Sequence, residues 1–172
     1  EIDQAIQQVL TSTAFIQGPE VQEFARALEA YTGAKFVIPC ANGTDALQIE
    51  MMALGFRPGD EVILPVFTYV ATAEVIALLG LTPVFVDVDN ATFNINAEQL
   101  EAKITNKTVA IVPVHLYGQC ADMEPILNLA SKYSLAVIED AAQSLSADYS
   151  FQNGEKKKAA TMGTIATTSF FR

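Results

Sequence analysis

At 172 residues the chain is long enough for one domain with a single sizeable core, domains running to about 100 to 200 residues. Apolar residues make up 51% and charged residues 17%, with a mean hydropathy of +0.27, which excludes a disordered or linker-like chain. Ten Lys and Arg against 20 Asp and Glu give a net charge of -10, which excludes a broad nucleic-acid or anionic-membrane footprint: phosphates would meet a repelling field, so any phosphate must be held locally.

The chain opens at Glu1 with a mixed polar and apolar segment that lacks the basic start and apolar run of a secretion signal. The missing initiator Met points to a clipped N-terminus, and the cytoplasm is the expected compartment. From Pro19 to Tyr31, Val21, Phe24, Ala25, Leu28 and Tyr31 recur at helical spacing, with Gly33 placed to stop an amphipathic surface helix. Phe36 to Ala41 is a short apolar run, in the place of a first strand, ended by Asn42 and Gly43. Thr44 to Leu54 follows as a helix apolar on most faces, and burial is expected for it.

The alternation continues with a strand Glu61 to Val66, a helix Tyr69 to Leu79, a strand Pro83 to Val88 and a helix Asn96 to Ile104. A strand Thr108 to Val114, a helix Asp122 to Tyr133 and a strand Leu135 to Glu139 complete it. Asn96 with Gln99 resembles a capping box, and Pro58, Gly59 and Asp60 make a turn. The greasiest stretch, Val75 to Val86, is broken by Gly80, Thr82 and Pro83 and falls short of the ~18 residues of a membrane span. Past Ala147, Asn153 and Gly154 predict a hairpin or loop, and Thr164 to Phe171 a final strand. Such alternation predicts an α/β fold, a mostly parallel sheet with helices on both faces.

In open α/β sheets ligands bind beyond the carboxyl ends of the strands. Those edges carry Asn42-Gly43-Thr44-Asp45, Phe67-Thr68-Tyr69, the lone His115, and Asp140 with Gln143. Gly43 and Thr44 open a helix and would offer backbone N–H groups and a hydroxyl to a phosphate; a merely capped helix is the alternative. Asp45 would repel that phosphate if turned inward, so it is expected to point away. Asp140, at the tip of an apolar strand, needs a cation or several donors unless it is an N-cap. His115 is an acid-base group or a hydrogen-bonded structural residue. Tyr69 is a core residue or a stacking platform, and Lys156, Lys157 and Lys158 form a solvated edge. Cys40 and Cys120, without CxxC spacing, support neither a zinc site nor a disulfide framework, and no metal site is expected.

FIQGPEV (Phe15 to Val21), ANGTDAL (Ala41 to Leu47), PVFTYVAT (Pro65 to Thr72), PVHLYGQ (Pro113 to Gln119) and EDAAQS (Glu139 to Ser144) occur in this order. Together they resemble the DegT/DnrJ family of pyridoxal-phosphate-dependent nucleotide-sugar aminotransferases. The resemblance runs over essentially the whole chain but corresponds to roughly the front half of a family member. It implies a single cofactor-binding large domain of the aspartate-aminotransferase type (fold type I) over residues 1–172, incomplete at its C-terminus. It assigns the phosphate of pyridoxal 5'-phosphate to Gly43, Thr44 and the Ser169 hydroxyl, and stacking on the pyridine ring to Tyr69. Asp140 would pair with the ring nitrogen, making the ring a better electron sink, and Gln143 would bond near the phenolic oxygen. His115 remains a further candidate for acid-base chemistry.

The family's Schiff-base lysine would fall two positions past Arg172, where a proline commonly stands in place of Arg172 itself. None of Lys35, Lys103, Lys107, Lys132, Lys156, Lys157 and Lys158 occupies that position, so the chain alone is expected to be inactive. The implied reaction transfers an amino group from glutamate to a UDP- or dTDP-linked keto-sugar, for surface polysaccharide synthesis, in a homodimer. A sugar dehydratase of the same family, and an inert α/β binding module, are the alternatives. Isolated, the chain is expected to be poorly soluble, through exposed sheet and interface.

Overall fold

A strand covered by helices on both faces must be apolar at successive positions, and the central strands of this chain meet that requirement. The structure is a computed structural model that describes residues 1–170. In chain order it contains helices α1 (Ile2–Ser12), α2 (Pro19–Thr32) and α3 (Gly43–Ala53), strand β1 (Glu61–Pro65), helix α4 (Val70–Leu78) and strands β2 (Thr82–Val86) and β3 (Thr108–Ile111). Helix α5 (Met123–Tyr133) and strands β4 (Ala136–Asp140), β5 (Asp148–Ser150), β6 (Lys156–Lys158) and β7 (Ile165–Thr167) follow. The chain forms two compact units, Glu1–Pro39 and Cys40–Arg172.

In the first unit, α2 starts with Pro19 behind Gly18 and stops at Gly33, whose φ of 82° lets its N–H close on the Glu29 carbonyl. Helix α1 was not legible from the sequence. Its Ile2, Ile6 and Leu10 recur at i, i+4 spacing, yet none of its residues is buried.

In the second unit, β2, β1, β3, β4 and β7 lie side by side in that order, every pair parallel. Val62, Leu64, Ala110, Val112 and Ile138 enter one core with Leu47 and Met51 of α3 and Val75 and Ile76 of α4. Ile63, Ile111 and Val137, one position out of phase, enter a second core with Met123, Ile126 and Ala130 of α5. The sheet therefore carries helices on both faces, as the alternation predicts. Strands β5 and β6 form an antiparallel hairpin around Asn153 and Gly154, and Lys156 to Lys158 are its edge, with Lys158 paired to Asp148 at 3.3 Å. No helix among the described residues is long and apolar enough to cross a membrane.

Several local expectations need correction. Phe36 to Ala41 is not a strand: no strand of the described residues pairs with it, and Ile38 is 85% exposed. An apolar run without a ladder partner has nowhere to place its backbone hydrogen bonds as a strand. The helix expected over Asn96 to Ile104 is two successive 3-10 turns, Ala97–Gln99 and Glu101–Lys103, and the Asn96 side chain caps Glu98 rather than forming a box with Gln99. Helix α3 is less buried than its composition suggests, with Ile49 and Met52 exposed while the charged Glu50 is inside. The final strand ends at Thr167; Phe171 and Arg172, on which that strand and the family proline were placed, lie outside the described residues.

Candidate active site

The period of two along β4 decides which way its last carboxylate faces. Ile138 belongs to the core under α3 and α4, so Asp140 projects to the same face, and the Thr72 hydroxyl of α4 donates to its Oδ2 at 3.0 Å. The Ala142 N–H reaches Oδ1 at 3.2 Å. Two donors fill half of the acceptor sites of an ionised carboxylate. Burial pushes the Asp140 carboxyl above its ordinary value, opposed by the Ala142 N–H, the Thr72 hydroxyl and the nearby His115. A cationic donor at this point would reverse that penalty.

On the same face, α3 begins at Gly43 behind Asn42. The Asn42 side-chain oxygen takes the Asp45 N–H at 2.9 Å, and its amide nitrogen donates to the Asp45 carboxylate at 3.0 Å. Asp45 is thereby folded back onto the cap, while the N–H groups of Gly43 and Thr44 have no acceptor among the described residues. Ser169 closes the cradle: a methyl group built on Gly43 would lie 3.0 Å from its Cβ and 3.3 Å from its Oγ. Asp140 is in register with Thr167 of β7, two residues before Ser169. By chain reach and strand spacing, Asp140 and Ser169 are within roughly 12 Å, Cα to Cα. The free amides, the serine and the carboxylate thus share one end of the sheet.

Gly43→Ala is expected to press on Ser169, which must give by a few tenths of an ångström, and to narrow the cradle. Affinity for pyridoxal phosphate should fall by about tenfold or more, roughly 1.4 kcal/mol, while the ligand-free melting curve moves little because alanine suits a first helical turn. Titration calorimetry beside a thermal melt separates the two effects.

Tyr69 caps α4 one turn before Thr72 and is 72% exposed, so it is not a core residue. Gln143 is exposed, and its Oε1 accepts the Tyr117 N–H at 2.9 Å, which leaves its amide NH2 for a ligand. Tyr117 itself adopts a φ of 54°, a left-handed conformation disfavoured for its side chain, so this bond holds a strained turn. His115 is fully buried; its Nδ1 accepts the Ala121 N–H at 3.1 Å, which places the proton on Nε2, 2.9 Å from Glu139 Oε2. Neither ring nitrogen is left for a ligand.

Sequence reasoning missed three residues around this site. Thr72 lies inside a helix pattern and carries no signal of its own. Glu139, read as strand and quoted in EDAAQS without a role of its own, is fully buried and accepts the N–H groups of Ala160, Met162 and Gly163 besides His115, so four donors fill its acceptor sites. Glu50 occupies the buried stripe of α3 with Leu47 and Met51, a spacing of i, i+3, i+4 that marks it in hindsight. It is 6% exposed, its Oε2 has no hydrogen-bond partner among the described residues, and burial with the charges of Asp140 and Glu139 pushes its carboxyl up to about 8.

A carboxyl whose folded-state value lies above its unfolded one stabilises the fold while protonated and loses that contribution as pH rises. For Glu50 the loss runs from about 4.5 to about 8. Glu50→Gln should therefore gain stability over the native protein progressively across that window, read as the difference between their urea midpoints at successive pH values.

Comparison with known proteins adds the decisive observation. The profile of the DegT/DnrJ/EryC1/StrS aminotransferase family matches residues 1–172. The chain belongs to this family. It is 56% identical over 171 residues to a UDP-2-acetamido-2-deoxy-3-oxo-D-glucuronate aminotransferase of Pseudomonas aeruginosa, a match covering 99% of this chain and 46% of that protein. A DegT DnrJ EryC1 StrS aminotransferase from Brucella abortus superposes with a TM-score of 0.89 at 43% identity, over 98% of this chain and 46% of the other. The ntda protein of Bacillus subtilis, solved with bound cofactor PMP, superposes with a TM-score of 0.82 at 40% identity, over 85% of this chain and 34% of the other. The chain spans under half the length of the relatives it matches.

Proposed function

We propose that this chain is the cofactor-binding part of a pyridoxal-phosphate-dependent aminotransferase that converts a nucleotide-linked keto-sugar to an amino sugar. The single observation that carries the reading is the pairing, on one sheet end, of an anion cradle with a buried carboxylate that forms no ion pair among the described residues. An elongated ligand with a phosphate at one end and a basic ring nitrogen at the other satisfies both. The residues present fit pyridoxal phosphate: Gly43 and Thr44 donate backbone N–H groups to the phosphate at the positive end of α3, and the Ser169 hydroxyl adds a donor beside them. When bound, the cofactor supplies an electron sink for the carbanion formed at the amino-donor carbon.

The protein's own groups prepare that chemistry. Asp140 holds a proton on the ring nitrogen, and Thr72 with the Ala142 N–H fixes its carboxylate in place. Tyr69, exposed at the start of α4, covers one face of the ring and excludes water there. The Gln143 amide donates to the phenolic oxygen while its carbonyl is anchored on Tyr117. His115 acts through β4: its backbone N–H bonds the Asp140 carbonyl at 2.9 Å and its ring is locked to Glu139, so it positions Asp140 rather than moving protons.

The Pseudomonas relative's name supports a UDP-linked 3-oxo-uronate or a close analogue as acceptor. Glutamate as donor, a homodimer, the cytoplasm and surface polysaccharide synthesis complete the proposal. The test is to mix the full-length protein with pyridoxal phosphate and glutamate, follow the visible absorbance, and then add UDP-linked keto-sugars. Spectral conversion by glutamate, reversed by a keto-sugar, is expected; an unchanged spectrum or unconverted keto-sugars would overturn the reading.

A further inference from the structure

Glu50, on the buried stripe of α3, and Asp140, at the tip of β4, belong to the same face of the sheet, and the charge of Asp140 acts on the Glu50 carboxyl. Asp140 has the Thr72 hydroxyl and the Ala142 N–H as donors, whereas the Oε2 of Glu50 has no hydrogen-bond partner among the described residues. The charges that act on Glu50 from β4 are those of Asp140, on the same face, and of Glu139, on the opposite face with four donors filling its acceptor sites. On β7, Thr167 is in register with Asp140, is 4% exposed, and has a hydroxyl without a partner among the described residues. From α4 comes Thr72, already committed to Asp140, and from α3 itself the apolar Leu47 and Met51. Like charges in an apolar site cannot both persist, and the proton goes to the group with fewer donors.

We propose that Glu50 is a positioning residue of the cofactor site: it holds the proton, so that Asp140 carries the negative charge at this point of the sheet. The proposal rests on the aminotransferase reading for the identity of the ligand, not for the coupling itself. At neutral pH Glu50 is a neutral acid and Asp140 remains free to pair with a ring nitrogen. At alkaline pH Glu50 ionises, and its added charge raises the proton affinity of Asp140 and of any group bonded to it. Glu50 thereby sets the alkaline limit of the site.

The experiment uses the full-length protein in two arms. In the ligand-free protein, infrared difference spectra should show a protonated-carboxyl band at neutral pH that disappears in Glu50→Gln and in the apolar Glu50→Met. The band should persist in Asp140→Asn, with its loss on raising pH displaced downward by about one unit, a tenfold change in proton affinity. A band that survives both Glu50 substitutions, or a midpoint indifferent to Asp140→Asn, would overturn the proposal. In the second arm, protein loaded with pyridoxal phosphate should change its visible spectrum at the midpoint of that band, and Glu50→Gln should lose the change; a change that persists in Glu50→Gln counts against Glu50. Failure to take up pyridoxal phosphate at all would overturn the functional reading alone, since the infrared arm judges the coupling without it.

Discussion

Asp140→Ala, made in the full-length protein, is expected to lower turnover by about 10- to 150-fold, the equivalent of the roughly 1.5 to 3 kcal/mol of a charge-assisted hydrogen bond. On the proposed pairing of Asp140 with a ring nitrogen, the loss should fall on kcat, where the carboxylate would act most strongly. Thr44→Ala removes one donor at a helix terminus, worth about 0.3 to 1 kcal/mol, and should weaken cofactor affinity by only about 2- to 5-fold. Steady-state kinetics on the first variant and cofactor titration of the second check the ranking. Equal losses in both would mean that the two ends of the ligand are held alike, contrary to the contrast between a buried carboxylate and an exposed helix end.

The largest effect on stability is expected at Glu139. Substitution by glutamine presents an NH2 group where Oε2 now accepts from Ala160 and His115. The histidine cannot escape by changing tautomer, because its Nδ1 already accepts the Ala121 N–H. Leaving buried donors without an acceptor costs about 1 to 3 kcal/mol for each. Urea unfolding of Glu139→Gln should reveal a loss of that size, and one under about 1 kcal/mol would show that the cage relaxes. Gly163 belongs to the same device: a side chain there would meet the Val137 carbonyl at 2.6 Å, so only glycine lets this turn bring its N–H to Glu139.

Most of the second unit was legible in the sequence because the strands of its parallel sheet are short apolar runs ended by glycine, proline or polar residues, and the candidate site residues stand after such runs. Gly43, Thr44, Tyr69, Asp140 and Gln143 were found that way. What failed has physical causes. Glu50 and Glu139 were passed over because a lone charge in a helix or strand pattern reads as a solvent face; only the other members of the buried stripe, Leu47 and Met51, reveal Glu50. Phe36 to Ala41 has strand composition but no ladder partner, so composition alone misleads. Over Asn96 to Ile104 the Asn96 cap bonds Glu98, two residues on, and the tight turn it starts never widens into an α-helix. Helix α1 hid because its apolar stripe, Ile2, Ile6 and Leu10, is diluted by four glutamine and aspartate side chains.

The most direct test measures the affinity of the full-length protein for pyridoxal phosphate, for pyridoxal without its phosphate, and for an analogue whose ring nitrogen is replaced by carbon. If one ligand spans the cradle and the carboxylate, Gly43→Ala weakens only the two phosphorylated compounds, and Asp140→Asn weakens only the two that keep the ring nitrogen. If both substitutions act on all three compounds alike, or on none, the two features do not hold opposite ends of one molecule.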